Sequence, residues 1–506
     1  MFLPLRLLDD LLNKITSYKL IVWGLRILAG ISMVFSFLGL LPLSTKGLLI
    51  SLGILSMVCY LTNLVLSRAW RVATNTESYA ITLLILFFVL PPVETLIDGL
   101  VVMVAGIIAI ASKFLIAYRG KHIFNPAAFA LSAVGILALT GSAWWVGSDV
   151  LLPFTLVLGL LVVRKIRRFS LFFAFTLVSL AVLTATALME GQSILGNLKY
   201  MFLASPLIFL GTIMLTEPAT MPARRQQQIN FGALVGLLYA TTWDIGLLTI
   251  YPEVALIIGN LYAFYVNPRY RLRLKLKEVQ QISDRVANYV FTPDRKAEFV
   301  PGQYMEFTLD HTKHDGRGNR RTFSIASSPT EQDVQLGVKF YEPSSRFKQA
   351  LRAMKPGDEI FAGQIAGDFI LPTDKREKLV FIAAGIGVTP FRSMLKHLLD
   401  TKEQRDIVMI YAVLNADEIA YEGVLAKAEM SGVRIIGLLR SDSPPSWWQG
   451  SLGRLDARFV AEQIPDYKDR KIYLSGPNGM VQNVRADLLS SGVSRRQIKT
   501  DYFTGY

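Results

Sequence analysis

Ten apolar runs crowd into the first 268 residues, at about 20–41, 47–66, 79–92, 98–118, 125–142, 149–163, 169–189, 200–215, 231–247 and 251–267, and no run of comparable length follows them. A segment apolar on every face has to be surrounded by protein or by lipid. The first 268 residues therefore predict a membrane bundle of about ten transmembrane helices, several short of the roughly 20 residues that a straight span needs. Residues 278–506 read as an ordinary mixed soluble segment. The 18 % of charged residues in the whole chain averages these two unlike parts. The first 18 residues form an amphipathic lead suited to a membrane surface.

Basic residues test the span count. With a cytoplasmic N-terminus, the inside segments hold Arg6, Lys14 and Lys19; Arg68 and Arg71; Arg119 and Lys121; Arg164, Lys165, Arg167 and Arg168; Arg224 and Arg225; and the stretch 269–277 with Arg269, Arg271, Arg273, Lys275 and Lys277. The outside segments hold only Lys46 and Lys199. This is a positive-inside bias, and an even count puts both termini and the soluble part in the cytoplasm. The net charge of +14 then points to anionic lipid headgroups as partner, not to nucleic acid. The stretch 269–277 reads as a basic linker.

Ionisable residues in or near the runs are Arg26, Glu94, Asp98, Lys113, Asp244 and Glu253, with Asp244 and Arg26 expected to be the buried ones. Two polar islands interrupt the runs on the cytoplasmic side: 118–130, with Lys121, His122 and Asn125, and 216–225, with Thr216, Glu217 and Thr220. Asn125–Pro126 is a helix start, since Asn caps free N–H groups and Pro suits the first turn. The islands are either capped helix junctions or a cofactor or ion site. Four histidines, His122, His311, His314 and His397, supply no pairs within the runs, and Cys59 is the only cysteine. Transmembrane haem, a cysteine-ligated iron–sulfur cluster and a metal centre are accordingly not expected.

Residues 278–375 predict a small antiparallel β-barrel, with strands near 279–286, 289–291 and 304–309. Along a strand, Arg321 and Phe323 share one face and Thr322 and Ser324 the other. A guanidinium fork beside an aromatic ring suits a dinucleotide. Ser345 can open a short helix whose free N–H groups suit phosphate. Residues 376–506 predict a parallel α/β domain. The apolar run 379–384 leads into Gly385–Ile386–Gly387–Val388–Thr389–Pro390 and a helix, and further strands are expected at 406–412, 433–439 and 471–474, with helices near 423–428 and 480–490. Ser475–Gly476–Pro477 again puts small residues at a strand's C-terminal end, where such sheets bind ligands.

Through Arg321–Thr322–Phe323–Ser324, Gly385–Ile386–Gly387–Val388–Thr389–Pro390, Ser475–Gly476–Pro477 and the tail Asp501–Tyr502–Phe503–Thr504–Gly505–Tyr506, residues 278–506 closely resemble ferredoxin–NADP⁺ reductase-like flavoproteins. The resemblance implies FAD, with Arg321 on its phosphate, Phe323 beside the flavin and Ser324 near N5. It implies Ser345 as a second phosphate contact, although Glu342 stands where the family usually has glycine. Gly385, Gly387, Thr389 and Pro390 would form the nicotinamide-nucleotide loop, with Gly476 and Pro477 at the second strand end. Ser475 stands where many relatives have cysteine. Tyr506 would cover the flavin and gate access to it, with Tyr502 and Phe503 as rivals. More loosely, residues 20–268 resemble the NqrB/RnfD family of redox-driven ion-pump subunits, through the island 120–130 and Thr216–Glu217–Pro218–Ala219–Thr220. That implies the inner or plasma membrane of a prokaryote. Members esterify FMN to threonine in Ser-Gly-Ala-Thr, a tetrapeptide missing here, so a noncovalent FMN or a quinone is the expected occupant.

The expected function is hydride transfer from NAD(P)H to FAD, then electron transfer to a flavin or quinone of the membrane part. The alternatives are a redox-driven Na⁺ or H⁺ pump, a membrane-anchored reductase serving an external electron-transfer protein, and a nucleotide sensor. Asn415–Ala416–Asp417–Glu418, acidic and without Arg, favours NADH, while Arg440–Ser441 offers a place for the 2′-phosphate of NADPH. NADH is the expected donor.

Overall fold

A computed structural model describes residues 8–9, 11–12, 15–70, 76–241, 244–245, 248–266, 271–309, 318–441 and 444–503, with backbone alone at 76, 244–245, 248–249 and 502–503. Tyr506, His311, His314 and the side chains of Asp244, Tyr502 and Phe503 lie outside the described residues. The chain divides into two compact units, Met1–Tyr270 and Arg271–Tyr506.

Each of the ten apolar runs holds a helix: Ser17–Phe37, Thr45–Ala69, Thr76–Val89, Leu96–Leu115, Pro126–Ile136, Leu152–Ile166, Phe169–Met189, the broken pair Ile194–Leu203 and Leu207–Phe209, Arg225–Ala240 and Pro252–Val266. Among the described residues, however, only Ser17–Phe37, Thr45–Ala69, Leu96–Leu115 and Phe169–Met189 are long and apolar enough to cross a membrane in one piece. A fifth results if Ile194–Leu203 and Leu207–Met214, bent by 58°, count as one span. Four or five helices, not ten, therefore meet the length of a straight span among the described residues. Local chemistry cuts the others short. Pro91–Pro92 follows the end at Val89. Asn125 accepts from the Ala128 N–H at 3.0 Å and starts the eleven-residue helix at Pro126. Arg167, at φ 58°, closes Leu152–Ile166.

Short helix ends need partners for their backbone groups. The Trp145 indole N–H donates to the carbonyls of Phe87 and Leu90 at 3.0 and 3.1 Å. Phe87, Phe88, Trp145 and Phe209 form a buried aromatic cluster with centroids 5.1–5.8 Å apart. Burial of the ionisable residues differs from expectation. Arg26 is exposed and Glu253 is buried, because the Trp144 indole donates to Glu253 Oε2 at 3.1 Å.

The second unit is built on two six-stranded sheets. The first comprises β1 (Leu272–Ser283), β2 (Val286–Pro293), β3 (Tyr304–Thr308), β4 (Arg320–Ser324), β5 (Val334–Lys339) and β6 (Glu359–Ala366). Their order is β4-β3-β6-β1-β2-β5 and every pairing is antiparallel. The expected barrel is therefore an open sheet with β4 and β5 as edges. The five-residue β4 runs straight into a loop, and beyond it Ala326 N–H reaches Gln335 O at 2.9 Å. The expected linker 269–277 is also corrected: from Leu272 onward it is β1. Leu272, Leu274 and Leu276 are buried, while Arg273, Lys275 and Lys277 face outward, the period-2 pattern of a half-buried strand.

The second sheet comprises β7 (Leu379–Ala384), β8 (Ile407–Val413), β9 (Arg434–Leu439), β10 (Ser451–Leu452), β11 (Lys471–Pro477) and β12 (Ile498–Phe503), all parallel, in the order β10-β9-β8-β7-β11-β12. Separate apolar clusters cover its two faces, one around Phe381, Phe391 and Tyr473, the other around Ile382, Leu474 and Val484. Helices Thr389–Thr401, Glu422–Met430 and Asn478–Ser490 match the expected positions within a few residues. The first half of the tail, as far as Phe503, belongs to the edge strand β12.

Candidate functional site

In this strand order the chain changes direction between β7 and β11, and an open parallel sheet binds ligands at such a point. The segment Gly385–Val388 leaves β7 as a single 3₁₀ turn, with Gly385 at φ 52°, and Pro390 sits in the first turn of the next helix. The turn lies directly against the end of β11. A Cβ on Gly387 would fall 2.5 Å from Ser475 O and 2.6 Å from Gly476 Cα. Thr389 donates to Ile386 O at 3.1 Å and so braces the turn. Gly385, Gly387, Thr389, Pro390, Ser475, Gly476 and Pro477 are thus brought together as two adjoining strand-end loops.

The antiparallel sheet meets this place through β4. Ser324 donates to Asp501 Oδ2 at 2.9 Å, and Asp501 lies in register beside Ser475 on the neighbouring strand. Desolvation pushes the Asp501 carboxyl up to about 6, against the pull of the Ser324 hydrogen bond. The Ser475 hydroxyl is fully buried and has no hydrogen-bond partner among the described residues. A buried orphan hydroxyl is costly unless a ligand satisfies it. Asp501 carried no individual signal in the sequence beyond being a lone acid in a β-branched and aromatic strand.

At the other end of β4, Arg321, Phe323 and the helix Arg346–Arg352 converge. The Arg321 guanidinium lies 5.4 Å from the Phe347 ring centroid, and Phe323 packs 6.0 Å from Phe347 and 5.8 Å from Phe307. Arg321 and Phe323 share a face as the alternation requires, and the neighbouring Thr322 is exposed. Arg321 donates to the carbonyls of Gly318 and Arg320 at 3.1 and 2.7 Å. Ser345 caps the helix, accepting from Lys348 N–H at 3.3 Å. The donors and rings here, the orphan Ser475 hydroxyl and the glycine cradle fit a flavin–nicotinamide pair. FAD would be held by Arg321, Phe323 and Ser345, and the nicotinamide nucleotide by the two strand-end loops.

Glu418, part of the acidic run taken to favour NADH, is occupied elsewhere: it forms a buried ion pair with Lys339 of β5. Of the specificity candidates, Asn415, Asp417 and Arg440 have exposed side chains.

In the N-terminal unit the two polar islands meet. Glu217 accepts from Asn125 Nδ2 at 2.9 Å and from Thr220 Oγ1 at 3.1 Å, and lies 3.4 Å from His122 Nε2. Asn260, which the sequence reading missed, accepts from the Asn125 N–H at 2.8 Å. Thr216 is turned away from this cluster and donates to Thr212 O at 2.6 Å. Lys121, His122, Thr220 and Phe264 line a cavity of about 20 Å³, room for one water-sized group. No group of three or more metal-ligating side chains occurs among the described residues.

Known proteins resemble the second unit. Residues 273–368 match the oxidoreductase FAD-binding domain and 381–486 the oxidoreductase NAD-binding domain. The NADPH oxidoreductase of Mycobacterium tuberculosis is 28 % identical over 206 residues, 39 % of this chain and 51 % of that protein. The phenol hydroxylase P5 protein of Acinetobacter pittii is 26 % identical over 234 residues, 45 % of this chain and 64 % of that protein. Among solved structures, the flavohem-like FAD/NAD binding domain of nitric oxide dioxygenase from Vibrio cholerae is 25 % identical over 46 % of this chain and 98 % of that one, with a TM-score of 0.40. The chain spans between half and two thirds of the length of the two curated relatives. The second unit therefore consists of an FAD-binding and an NAD-binding oxidoreductase domain.

Proposed function

We propose that the chain is a membrane-bound flavoprotein that takes hydride from NAD(P)H and passes the electrons to a flavin or quinone associated with its N-terminal unit. The observation that carries the first half is the junction of the glycine turn with Ser475 and the Ser324–Asp501 pair. FAD bound there would supply the hydride acceptor and release electrons singly. The protein's own share is placement and electrostatics. Arg321 offers its guanidinium to a phosphate. The Gly385–Val388 turn lets nucleotide backbone approach closely. Ser324 orients the Asp501 carboxyl, which holds or releases a proton near neutral pH.

Support for a membrane location comes from the apolar runs, the positive-inside charge pattern and the outward-facing Trp23, Phe37, Leu96, Met189 and Tyr265. In this reading the protein sits in the inner or plasma membrane of a prokaryote, as an NqrB/RnfD-like fusion with cytoplasmic soluble domains and ten runs that enter the bilayer, some only partway. The bent pair Ile194–Leu203 and Leu207–Met214 favours ion transport as a second reading, because broken helices in transporters commonly frame ion sites. Extraction of cofactors from purified protein with mass analysis, followed by anaerobic titration with NADH and NADPH, tests the main reading. It fails if no FAD is recovered or if neither nucleotide bleaches the flavin. Ion flux in proteoliposomes during turnover tests the second.

A further inference from the structure

The edge strand β5 is covered by the nucleotide loop together with the segment 416–421 that follows β8. An edge strand usually presents unpaired backbone and exposed side chains to solvent, yet Val334, Leu336, Val338 and Lys339 are all buried. Gly337 explains what covers them: a Cβ there would meet Tyr421 Oη at 2.5 Å, Thr389 Cγ2 at 2.7 Å and Ile386 Cδ1 at 2.9 Å. Three polar ties fasten this contact. The Lys339 ammonium pairs with the Glu418 carboxylate, with only 9 % and 3 % of the two side chains exposed. Tyr421 donates to Asn288 Oδ1 of β2 at 3.0 Å. Arg392, one turn beyond the glycine loop, pairs with Glu331 through both terminal nitrogens, Nη2 at 2.9 Å, and donates to Ala326 O at 3.1 Å.

We propose that the buried Lys339–Glu418 pair is a positioning device: it pins the segment 416–421 to β5, and through Tyr421, which meets Thr389 and Ile386 over Gly337, it holds the neighbouring nucleotide loop and so fixes how closely a nicotinamide can approach. The inference rests on the proposed hydride transfer between these domains. Neither residue belongs to the Ser324–Ser475–Asp501 group, so the pair acts through the loop. Burying two charges gains little stability over apolar residues of the same size, because desolvation offsets the attraction. What an ion pair adds is direction. Glu418 ends the turn Ala416–Glu418 that follows β8, so the tie reaches the sheet edge beside the loop. The other charges around the pair do not replace it. Lys348 is committed to the Lys339 carbonyl at 2.7 Å, and the Arg392–Glu331 pair anchors the far side of the loop.

The test uses the full chain in detergent, with Lys339→Met and Glu418→Gln combined so that no uncompensated charge stays buried. Four readouts are compared with the parent: FAD content, nucleotide dissociation constant, limiting rate of flavin bleaching in anaerobic stopped flow, and amide hydrogen exchange over 385–392. The expected result is retained FAD, nucleotide affinity within about twofold, a limiting rate lower by ~10- to 100-fold, and exchange at 385–392 faster by at least ~10-fold, since misplacement on the 1 Å scale costs about that much in rate. The charge-swapped variant Lys339→Glu with Glu418→Lys should recover part of the rate. Parental exchange and parental limiting rate in the neutral double variant would overturn the proposal. So would a rate that falls only in proportion to lost FAD, which would make the pair a folding element. If neither nucleotide reduces the parent, the hydride reading fails, and the exchange measurement still decides whether the tie exists.

Discussion

Alanine at Gly387 probes the junction more sharply than any change of a polar side chain. Its Cβ would lie 2.5 Å from Ser475 O and 2.6 Å from Gly476 Cα, whereas ordinary contact begins at 3.4 Å. The obstructing atoms are backbone at the end of β11, so no rotamer change relieves the clash. The two loops have to part by about 0.9 Å, the shortfall from 3.4 Å. A displacement on that scale costs ~100-fold in a positioned reaction, or ~2.7 kcal/mol of barrier. Gly385 supplies the control. A Cβ there meets nothing within 4 Å, but its φ of 52° strains any other residue. Gly385→Ala should therefore cost ~1 kcal/mol of stability without forcing the loops apart. The assay is anaerobic stopped-flow reduction of the bound flavin at saturating nucleotide, with FAD content measured in parallel. If Gly387→Ala retains FAD and bleaches at the parental limiting rate, the two loops do not form the nicotinamide site and the reasoning fails.

Other perturbations follow from the same geometry. Arg321→Ala should weaken FAD retention at least ~10-fold by removing a charge-assisted phosphate contact; equilibrium dialysis giving an unchanged dissociation constant would refute that role. Asp501 has its folded pKa raised to about 6 by desolvation. Its charged form is thus disfavoured in the folded protein, so stability should fall as pH rises from about 4 to 6 and level off above. Asp501→Asn should flatten that part of a melting-temperature profile, and an unaltered profile would rule out Asp501 as its source. Glu217→Leu strands the Asn125 amide and the Thr220 hydroxyl and should destabilise the N-terminal unit by ~2–3 kcal/mol, with Glu217→Gln milder; equal melting of all three proteins in detergent would contradict this. NADH should be used in preference to NADPH; a clear NADPH preference that disappears in Arg440→Ala would reverse the assignment.

Much of the architecture was legible because two periodicities are written plainly. All-round apolarity marked the helical half, and short apolar runs ending in glycine marked the parallel sheet. Arg321 and Phe323 fell on one face because a strand alternates. Where the local pattern carried two meanings, the reading went astray. The alternation of Arg and Lys with Leu272, Leu274 and Leu276 fits a membrane-flanking basic linker as well as a half-buried strand, and only pairing with β2 and β6 chooses the strand. Apolar runs reveal where helices lie, not whether each is long enough to cross, because Pro91–Pro92 and Asn125–Pro126 set the lengths.

The helical half and the sheet-bearing half, the glycine turn and the strand carrying Arg321 could be read from the residues alone, since each is encoded within one stretch of chain. It takes the folded chain to bring Ser324 to Asp501 across 177 residues, to gather His122, Asn125 and Thr220 around Glu217, and to turn Glu418 toward Lys339 and not a nucleotide. A charge or hydroxyl in a sequence states only what bonds it can make. Which one it makes is set by the partner that folding buries beside it, where water no longer competes.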